Sequence, residues 1–243
     1  EKATALEAAA LCGHEEATLA FIQHPRYKEK DSPYPDKGTC ALSHAAKVGQ
    51  VAVVARLLLE LPIDSVKGVA FDGCTPLHLA ASQGHVAVVE HLVKSSHFPN
   101  VNSTWNSETA LHVAAMKGFP DVAKVLLTCP KFTAISAAGS YGLTALHYAC
   151  VHDRTGSVLN VFLQLGKCGR EYANTSSGCA LQMAISQGFA HTSALLLSSP
   201  HFESQLVNAY DAELGTALHV AASLGHVAIA QQVLDCERFE EGT

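Results

Sequence analysis

The sequence contains little charge and has no basic excess. Charged residues make up 16% of the 243 residues, and 16 Lys and Arg stand against 22 Asp and Glu, for a formal net charge of −6. A protein that binds the phosphate backbone needs a basic stripe, so the sequence predicts no nucleic-acid partner. The hydrophobic fraction of 48% is ample for a folded core and excludes a disordered chain.

Long apolar runs and a basic leader are also missing. The sequence has no stretch of about 18 uncharged apolar residues, so we expect no direct insertion into a membrane. The first residues, EKATALEAAALCGHEE, are acidic and do not resemble a signal peptide. We expect an intracellular protein, in the cytoplasm with the nucleus left open, and the chain reads as part of a longer polypeptide.

The eight cysteines form no CxxC pair and are scattered along the chain. We interpret them as reduced, buried thiols in a reducing compartment. The sequence shows no group of three or four metal ligands and no GxSxG, HExxH, phosphate-loop or dinucleotide motif. We therefore predict no metal, no cofactor and no enzymatic activity for this chain.

A repeated unit dominates the sequence. Its best copy, TPLHLAASQGH, occupies residues 75–85, and related segments recur along the whole chain. The spacing between successive anchor leucines is 34 to 37 residues. The anchors are Leu6, Leu42, Leu77, Leu111, Leu146, Leu181 and Leu218.

Each unit predicts two short helices. Thr75 is a good N-cap, and Pro76 suits the first helical position because its missing N–H would be unpaired there anyway. Gly84 ends the first helix in a left-handed conformation. Apolar residues at helical spacing from Val86 to Val93 then predict a second, amphipathic helix. A polar loop follows and leads to the next unit.

This unit resembles the ankyrin repeat, and the resemblance covers essentially the whole chain. It implies an all-α solenoid of stacked helix–turn–helix units with β-hairpin-like loops. One unit cannot bury its apolar face alone, so stacking is also expected physically. We expect one domain over residues 1–243, with approximate repeats at 3–35, 38–70, 73–104, 107–139, 142–175, 177–211 and 214–243.

The resemblance implies a protein–protein interaction module, a scaffold or adaptor that binds a peptide or a folded partner on a concave face. The alternative is a regulatory or substrate-recruiting arm of a larger enzyme, channel or ubiquitin ligase whose active part lies outside this chain. Fold alone does not distinguish the two. The oligomeric state is left open.

Several units depart from the repeat pattern. The fifth unit lacks the inter-helix glycine and has one extra residue within 152–156, so we expect a distorted turn there. The usual histidine is replaced by Glu7, Ser43 and Gln182, and Glu7 suits a polar capping repeat.

An aromatic residue usually follows the anchor leucine after 21 positions. We expect these residues to pack under the hairpins and to lengthen the second helix by a turn. The seven positions hold Tyr27, Ile63, Phe98, Phe132, Lys167, Phe202 and Phe239.

The candidate partner-binding residues are those that the repeat does not dictate. Hairpin tips carry Phe71, Trp105 and Tyr141, and aromatic side chains are enriched at the centres of interfaces. The other reading is that these aromatics fold onto neighbouring hairpins. The ends of the first helices add Met116, Lys117, Val151 and His152 to the predicted site. Lys47 and Lys117 would provide positive charge for an acidic partner segment.

Overall fold

The computed structural model describes residues 4–24, 41–60, 74–169, 173–175 and 178–239. Within these ranges the chain forms fifteen α-helices. They are α1 (Ala5–Leu11), α2 (Glu15–Gln23), α3 (Ala41–Val48), α4 (Val51–Glu60), α5 (Pro76–Gln83), α6 (Val86–Lys94), α7 (Ala110–Lys117), α8 (Pro120–Thr128), α9 (Ala145–His152), α10 (Ser157–Gln164), α11 (Ala180–Ser186), α12 (Ala190–Ser198), α13 (Ser204–Val207), α14 (Ala217–Ser223) and α15 (Val227–Leu234).

Short antiparallel hairpins connect some of the helix pairs. Strand β1 (Thr104–Trp105) pairs with β2 (Glu108–Thr109), and β3 (Asn174–Thr175) pairs with β4 (Gly178–Cys179). Between β1 and β2, Asn106 and Ser107 both have positive φ values, of 49° and 68°. Two consecutive positive φ values are typical of the tight turn that suits the twist of a hairpin.

The chain divides into two compact units. The first contains residues 1–113 and 128–134, and the second contains residues 114–127 and 135–243, so the boundary falls inside α7. In the first unit α1, α3 and α5 pack in sequence as one layer, with α2, α4 and α6 as the other. In the second unit α9, α11 and α14 form one layer, with α10, α12 and α15 as the other.

The anchor leucines lie in the cores of these layers. Six of the seven are fully buried, and Leu218 in the last repeat is half-buried. Small residues such as Ala80 and Ala81 are also fully buried. Alanines at these positions leave room for the next helix to approach closely, as dense packing requires.

The aromatic residues 21 positions after the anchors pack as expected where their side chains are buried, at Phe98, Phe132 and Phe202. The prediction that they lengthen the second helix was wrong. Helix α8 ends at Thr128, and the Phe132 amide donates to the Cys129 carbonyl at 3.1 Å in a separate turn. Cys129 precedes a proline, which disfavours helical backbone at the preceding residue. Tyr27 and Ile63 lie outside the described residues.

The repeat histidines connect successive repeats. The His78 Nδ1 accepts from the Thr75 amide at 3.3 Å, while Nε2–H donates to the Glu108 carbonyl at 3.1 Å. His147 makes the corresponding bonds with the Thr144 amide and the Gly178 carbonyl. This pattern needs a neutral ring with its proton on Nε2.

Glu7 occupies the histidine position of the first repeat but does not face solvent. It is buried, and its Oε2 accepts from the Thr4 amide at 2.8 Å while the Thr4 hydroxyl accepts from the Glu7 amide. Glu7 therefore completes a capping box at the start of α1.

The distorted turn predicted for the fifth repeat is present. Four residues separate α9 from α10, whereas two separate α5 from α6. The buried Asp153 carboxylate accepts from the Thr155 amide and hydroxyl and from the Val158 amide. Gly156 is left-handed, with φ 68°, and a Cβ there would lie 2.6 Å from Leu195 Cδ1. The longer turn thus depends on one carboxylate and one glycine.

Candidate partner-binding surface

Tyr141 is the most exposed of the predicted site residues. Its side chain is 87% exposed, and it lies in the 3₁₀ turn Ser140–Gly142 of the second unit with φ 59°. Left-handed backbone at a bulky residue costs on the order of 1 kcal/mol or more. A large ring held outward at such a cost is unusual for a position that only connects helices.

Four predicted residues lie at the ends of α7 and α9 in the same unit. Lys117 and His152 are exposed, and Met116 and Val151 are half-buried. These two pairs occupy the same phase of successive repeats. The His152 ring stacks on the buried Tyr148 with 5.6 Å between ring centroids and 19° between planes, which orients the imidazole.

Trp105 belongs to the first unit and is half-buried. Its indole packs edge-on against the His78 ring, with centroids 6.3 Å apart. The contact agrees with the alternative that a tip aromatic folds onto its neighbour, while part of the indole stays accessible. Phe71 lies outside the described residues.

Lys47, the other predicted source of positive charge, is exposed at the end of α3 in the first unit. Its backbone carbonyl accepts from His85 Nε2 at 3.0 Å. The His85 ring lies over Gly49, where an added Cβ would be 2.8 Å from the ring. The His85 side chain of the next repeat therefore holds the turn that carries Lys47.

The sequence reasoning did not single out a contact next to the distorted turn. The exposed Arg154 guanidinium lies over the Phe189 ring, 5.8 Å from its centroid. Such a pair contributes about 0.5–1 kcal/mol at an exposed site. The sequence did contain a signal for this contact. Arg154 lies in the extended turn, and Phe189 lies in the corresponding turn of the next repeat.

The cysteines that the structure describes are all free thiols, but they are not all buried. Cys12 is exposed, and Cys129 and Cys236 are half-buried, in contrast to the prediction. Cys40 lies outside the described residues. Cys150 and Cys179 are buried, and burial raises the pKa of the Cys150 thiol far above its ordinary value and that of Cys179 to about 11.

Neither a metal cluster nor a membrane helix is found in the described part of the chain. There, no three His, Cys, Asp or Glu side chains are grouped so that they could hold a metal ion. No helix within the described ranges has the length and apolar character that a membrane crossing requires.

The repeat pattern and the layered helix pairs agree with a family profile. The profile of ankyrin repeats, in three copies, matches residues 6–103 and 95–168, more than half of the chain. The chain belongs to the ankyrin-repeat family. Ankyrin-repeat domains are generally non-catalytic modules for binding other proteins, and this chain is a protein–protein interaction module.

Individual relatives cover parts of this ankyrin-repeat chain. The mouse B-cell lymphoma 3 protein homolog is 32% identical over 133 residues, which are 52% of this chain and 29% of that protein. The human transient receptor potential cation channel subfamily A member 1 is 36% identical over 105 residues, 43% of this chain and 8% of the channel. The rice "Probable E3 ubiquitin-protein ligase XBOS33" is 31% identical over 200 residues, 80% of this chain and 37% of that protein.

Two solved structures share the fold. The ankyrin repeat domain of Bcl-3 superposes with a TM-score of 0.73 at 22% identity, covering 95% of this chain and 99% of that one. The human ASB11 ankyrin repeat domain gives a TM-score of 0.72 at 22% identity, covering 99% and 100%. The predicted all-α ankyrin-repeat solenoid is thereby confirmed.

Proposed function

We propose that this ankyrin-repeat domain binds a protein partner through a surface of its second unit. We call this surface the Tyr141 surface and define it by Met116, Lys117, Tyr141, Val151 and His152. Trp105 and Phe71 are predicted contacts that we do not include in the Tyr141 surface. Trp105 belongs to the first unit, and Phe71 lies outside the described residues. Within the solenoid, these positions are those expected on the concave face.

The observation that carries the proposal is the outward, left-handed placement of Tyr141. A tyrosine side chain offers a large rigid area with a hydroxyl at its end, which suits the centre of an interface. The two half-buried residues, Met116 and Val151, offer apolar area at the helix ends. Methionine adapts its shape readily to a partner.

Charge suggests the chemistry of the partner. Lys117 is exposed on the Tyr141 surface. A peptide or loop with an acidic residue beside an apolar side chain would fit this surface, because the acidic group can pair with Lys117 and the apolar side chain can pack on the Tyr141 ring. Complementary charge contributes mainly to the association rate and to specificity.

The domain acts by binding and not by chemistry. The buried thiols of Cys150 and Cys179 are protonated at neutral pH because their pKa values are raised, so they are poor nucleophiles. Free cysteines are typical of a reducing compartment, which supports an intracellular location, in the cytoplasm or the nucleus.

A second possibility is that the domain is the recruiting or regulatory arm of a larger protein. The chain spans 29%, 8% and 37% of the three relatives described above, and two of them are named as a cation channel and a ubiquitin ligase. In that case the Tyr141 surface would bind a substrate or another part of the same assembly. The binding chemistry would be the same.

The test begins with capture of partners from cell lysate by the tagged chain, followed by titration of the purified partner. Tyr141→Asn introduces a residue that tolerates left-handed backbone. We expect this variant to raise the dissociation constant about tenfold or more. Lys117→Glu should weaken binding and reduce its dependence on salt. Tyr210→Asn is the matched control, because Tyr210 is an exposed tyrosine at the end of the sixth repeat.

Unchanged affinity in both Tyr141→Asn and Lys117→Glu, with circular dichroism showing intact folding, would contradict the proposed surface. Trp105→Ala is measured separately. A loss of affinity in Trp105→Ala alone would move the site to the first unit.

A further inference from the structure

One position of the repeat faces solvent in every unit. It lies six residues after the anchor leucine, at or just after the end of the first helix of each pair, and its side chain is exposed in all seven repeats. Internal repeats expose this position too, so the exposure belongs to the repeat and not to its place in the array. We call these side chains the exposed row. They are Cys12, Val48, Gln83, Lys117, His152, Gln187 and Leu224.

Leu224 places a large aliphatic side chain in the exposed row. It is 50% exposed, and Val48 at the same position of an internal repeat is 40% exposed. A single exposed leucine is common on protein surfaces and indicates little by itself. Its meaning here comes from the side chains that share its row within the second unit.

The row continues the Tyr141 surface toward Leu224. The helices α9, α11 and α14 pack in sequence, and His152, Gln187 and Leu224 lie at their ends. Lys117 occupies the same position one repeat earlier. Neighbouring packed helices are about 8–10 Å apart, so three steps from Lys117 to Leu224 cover about 24–30 Å. An extended chain spans this length in about seven to nine residues.

Charge changes sign along the second unit. Exposed Lys117 and Arg154 belong to the fourth and fifth repeats. Residues 172–202 contain no Asp, Glu, Lys or Arg. Exposed Glu213 and half-buried Asp211 then lie in the loop before α14, where the Asp211 carboxylate accepts from two backbone amides of the loop at 2.8 Å each. A partner carboxylate is therefore attracted to the fourth and fifth repeats and repelled from the last one.

We propose that the partner is an extended peptide segment with an acidic residue at one end and a large aliphatic residue at the other. The acidic residue pairs with Lys117, and the aliphatic residue packs on Leu224, about seven to nine positions away. Between them, the side-chain amide of Gln187 offers a donor and an acceptor to the peptide backbone. Because this segment is the one bound by the Tyr141 surface, its assignment rests on the proposed function.

The test is a selection of random peptides of about twelve residues, displayed on phage, against immobilised residues 1–243. We expect the enriched sequences to pair an acidic residue with leucine, isoleucine or methionine about seven to nine positions away. One enriched peptide is then synthesised, and its dissociation constant is measured by calorimetry.

Paired substitutions in protein and peptide locate the aliphatic contact. Leu224→Ser should raise the dissociation constant of the peptide about fivefold or more. A second peptide, with serine in place of the aliphatic residue, should bind Leu224→Ser and the unchanged protein about equally, because the contact is already lost. Leu234→Ser is the matched control, since Leu234 is 49% exposed on α15 outside the exposed row, and it should leave the dissociation constant unchanged.

The variants separate the contact at Leu224 from the Tyr141 surface itself. If Tyr141→Asn and Lys117→Glu weaken binding of the peptide but Leu224→Ser does not, the Tyr141 surface stands and the contact at Leu224 is wrong. If none of the three changes the affinity while circular dichroism shows intact folding, both are wrong. Enriched sequences without the paired residues, no enriched sequence at all, or equal weakening by Leu224→Ser and Leu234→Ser would also overturn the proposed segment.

Discussion

At the sixth repeat, the side-chain amide of Gln182 makes the hydrogen bonds that imidazoles make elsewhere. Its Oε1 accepts from the Cys179 amide at 3.1 Å, and its Nε2 donates to the carbonyls of Ala209 and Gly215. An amide and a neutral imidazole both offer one acceptor and one donor on opposite sides. The position therefore selects a hydrogen-bond pattern, which either residue type can provide.

We expect Gln182→Ala to lower the free energy of unfolding by about 1–3 kcal/mol, because it leaves the buried Cys179 amide without its acceptor and removes the donor to the half-buried Ala209 and Gly215 carbonyls. Gln182→His should stay within about 1 kcal/mol of the wild type, since it restores the pattern of the other repeats. Urea unfolding followed by circular dichroism measures both. If the two variants lose equal stability, the bonds of Gln182 do not support the junction.

His44 is a half-buried histidine outside the usual repeat position, and its two ring nitrogens are buried. Neither ring nitrogen has a hydrogen-bond partner among the described residues. Burial lowers the pKa of His44, with Glu7 acting in the opposite direction and Lys47 acting in the same one. The folded state therefore holds the neutral ring, whereas the unfolded chain takes up a proton below about pH 6.5.

Below about pH 6.5 the unfolded state binds more protons than the folded state. The contribution of His44 to the free energy of unfolding should therefore be fully present above about pH 6.5 and should be lost as the pH falls below it. We expect His44→Leu to reduce the loss of stability between pH 7.5 and pH 5. Urea midpoints at a series of pH values test this. Ser43→Ala, an adjacent buried substitution without a titrating group, is the control and should keep the wild-type slope. A slope in His44→Leu equal to that of the wild type would exclude His44 as its origin.

At the scale of elements, the turn between α9 and α10 shows how an insertion is accommodated. Asp153 directly follows the first helix of its repeat, where Gly84 follows α5 in the third repeat. Its carboxylate accepts hydrogen bonds from the Thr155 amide and hydroxyl and from the Val158 amide, the last at 2.6 Å. The bond to Val158 satisfies an amide in the first turn of α10, where intrahelical acceptors are absent. The carboxylate thus serves as a remote cap for the second helix.

Asp153→Ala should lower the free energy of unfolding by about 1–2 kcal/mol, the usual cost of losing a helix cap. Amide exchange at Val158 should accelerate, and this local readout separates the capping role from a general loss of packing. Asp153→Asn, which keeps one carbonyl oxygen as acceptor, should lose less. Unchanged exchange at Val158 in Asp153→Ala would contradict the capping role.

At the scale of the whole molecule, buried polar groups are distributed unevenly between the two compact units. In the first unit, Glu7 Oε1, both ring nitrogens of His44 and both amide atoms of Gln50 are buried without hydrogen-bond partners among the described residues. Each such group costs on the order of 1–3 kcal/mol. Stability in a repeat protein is approximately a sum of local terms, so these costs are expected to act near their own repeats.

We therefore expect amides in α3 and α4 to exchange faster than amides in α11 and α12, as measured by hydrogen exchange with mass spectrometry at neutral pH. The double variant His44→Leu/Gln50→Leu should slow exchange in α3 and α4 and leave α11 and α12 unchanged. Uniform exchange across both units in the wild type would show that the chain unfolds as one cooperative body.

Much of the fold could be predicted because the repeat encodes local chemistry. Thr75, Pro76 and Gly84 mark the start and end of α5 by capping and backbone preference, and these preferences act within a few residues. The packing of Phe98 was predictable for the same reason, since its periodic position indicated a core. The burial of Glu7 was not, because a carboxylate is usually exposed unless hydrogen bonds hold it.

The sequence by itself determined the family, the helix pairs, the extended turn of the fifth repeat and the residues worth testing at the hairpin tips. Only the tertiary structure decided which candidate side chains face solvent, because exposure depends on neighbours distant in sequence. Trp105 packs on His78, 27 positions earlier, while Tyr141 points outward on left-handed backbone. Leu234 and Leu197 likewise look alike in sequence, but Leu197 is buried and Leu234 is exposed, because they differ in what packs against them.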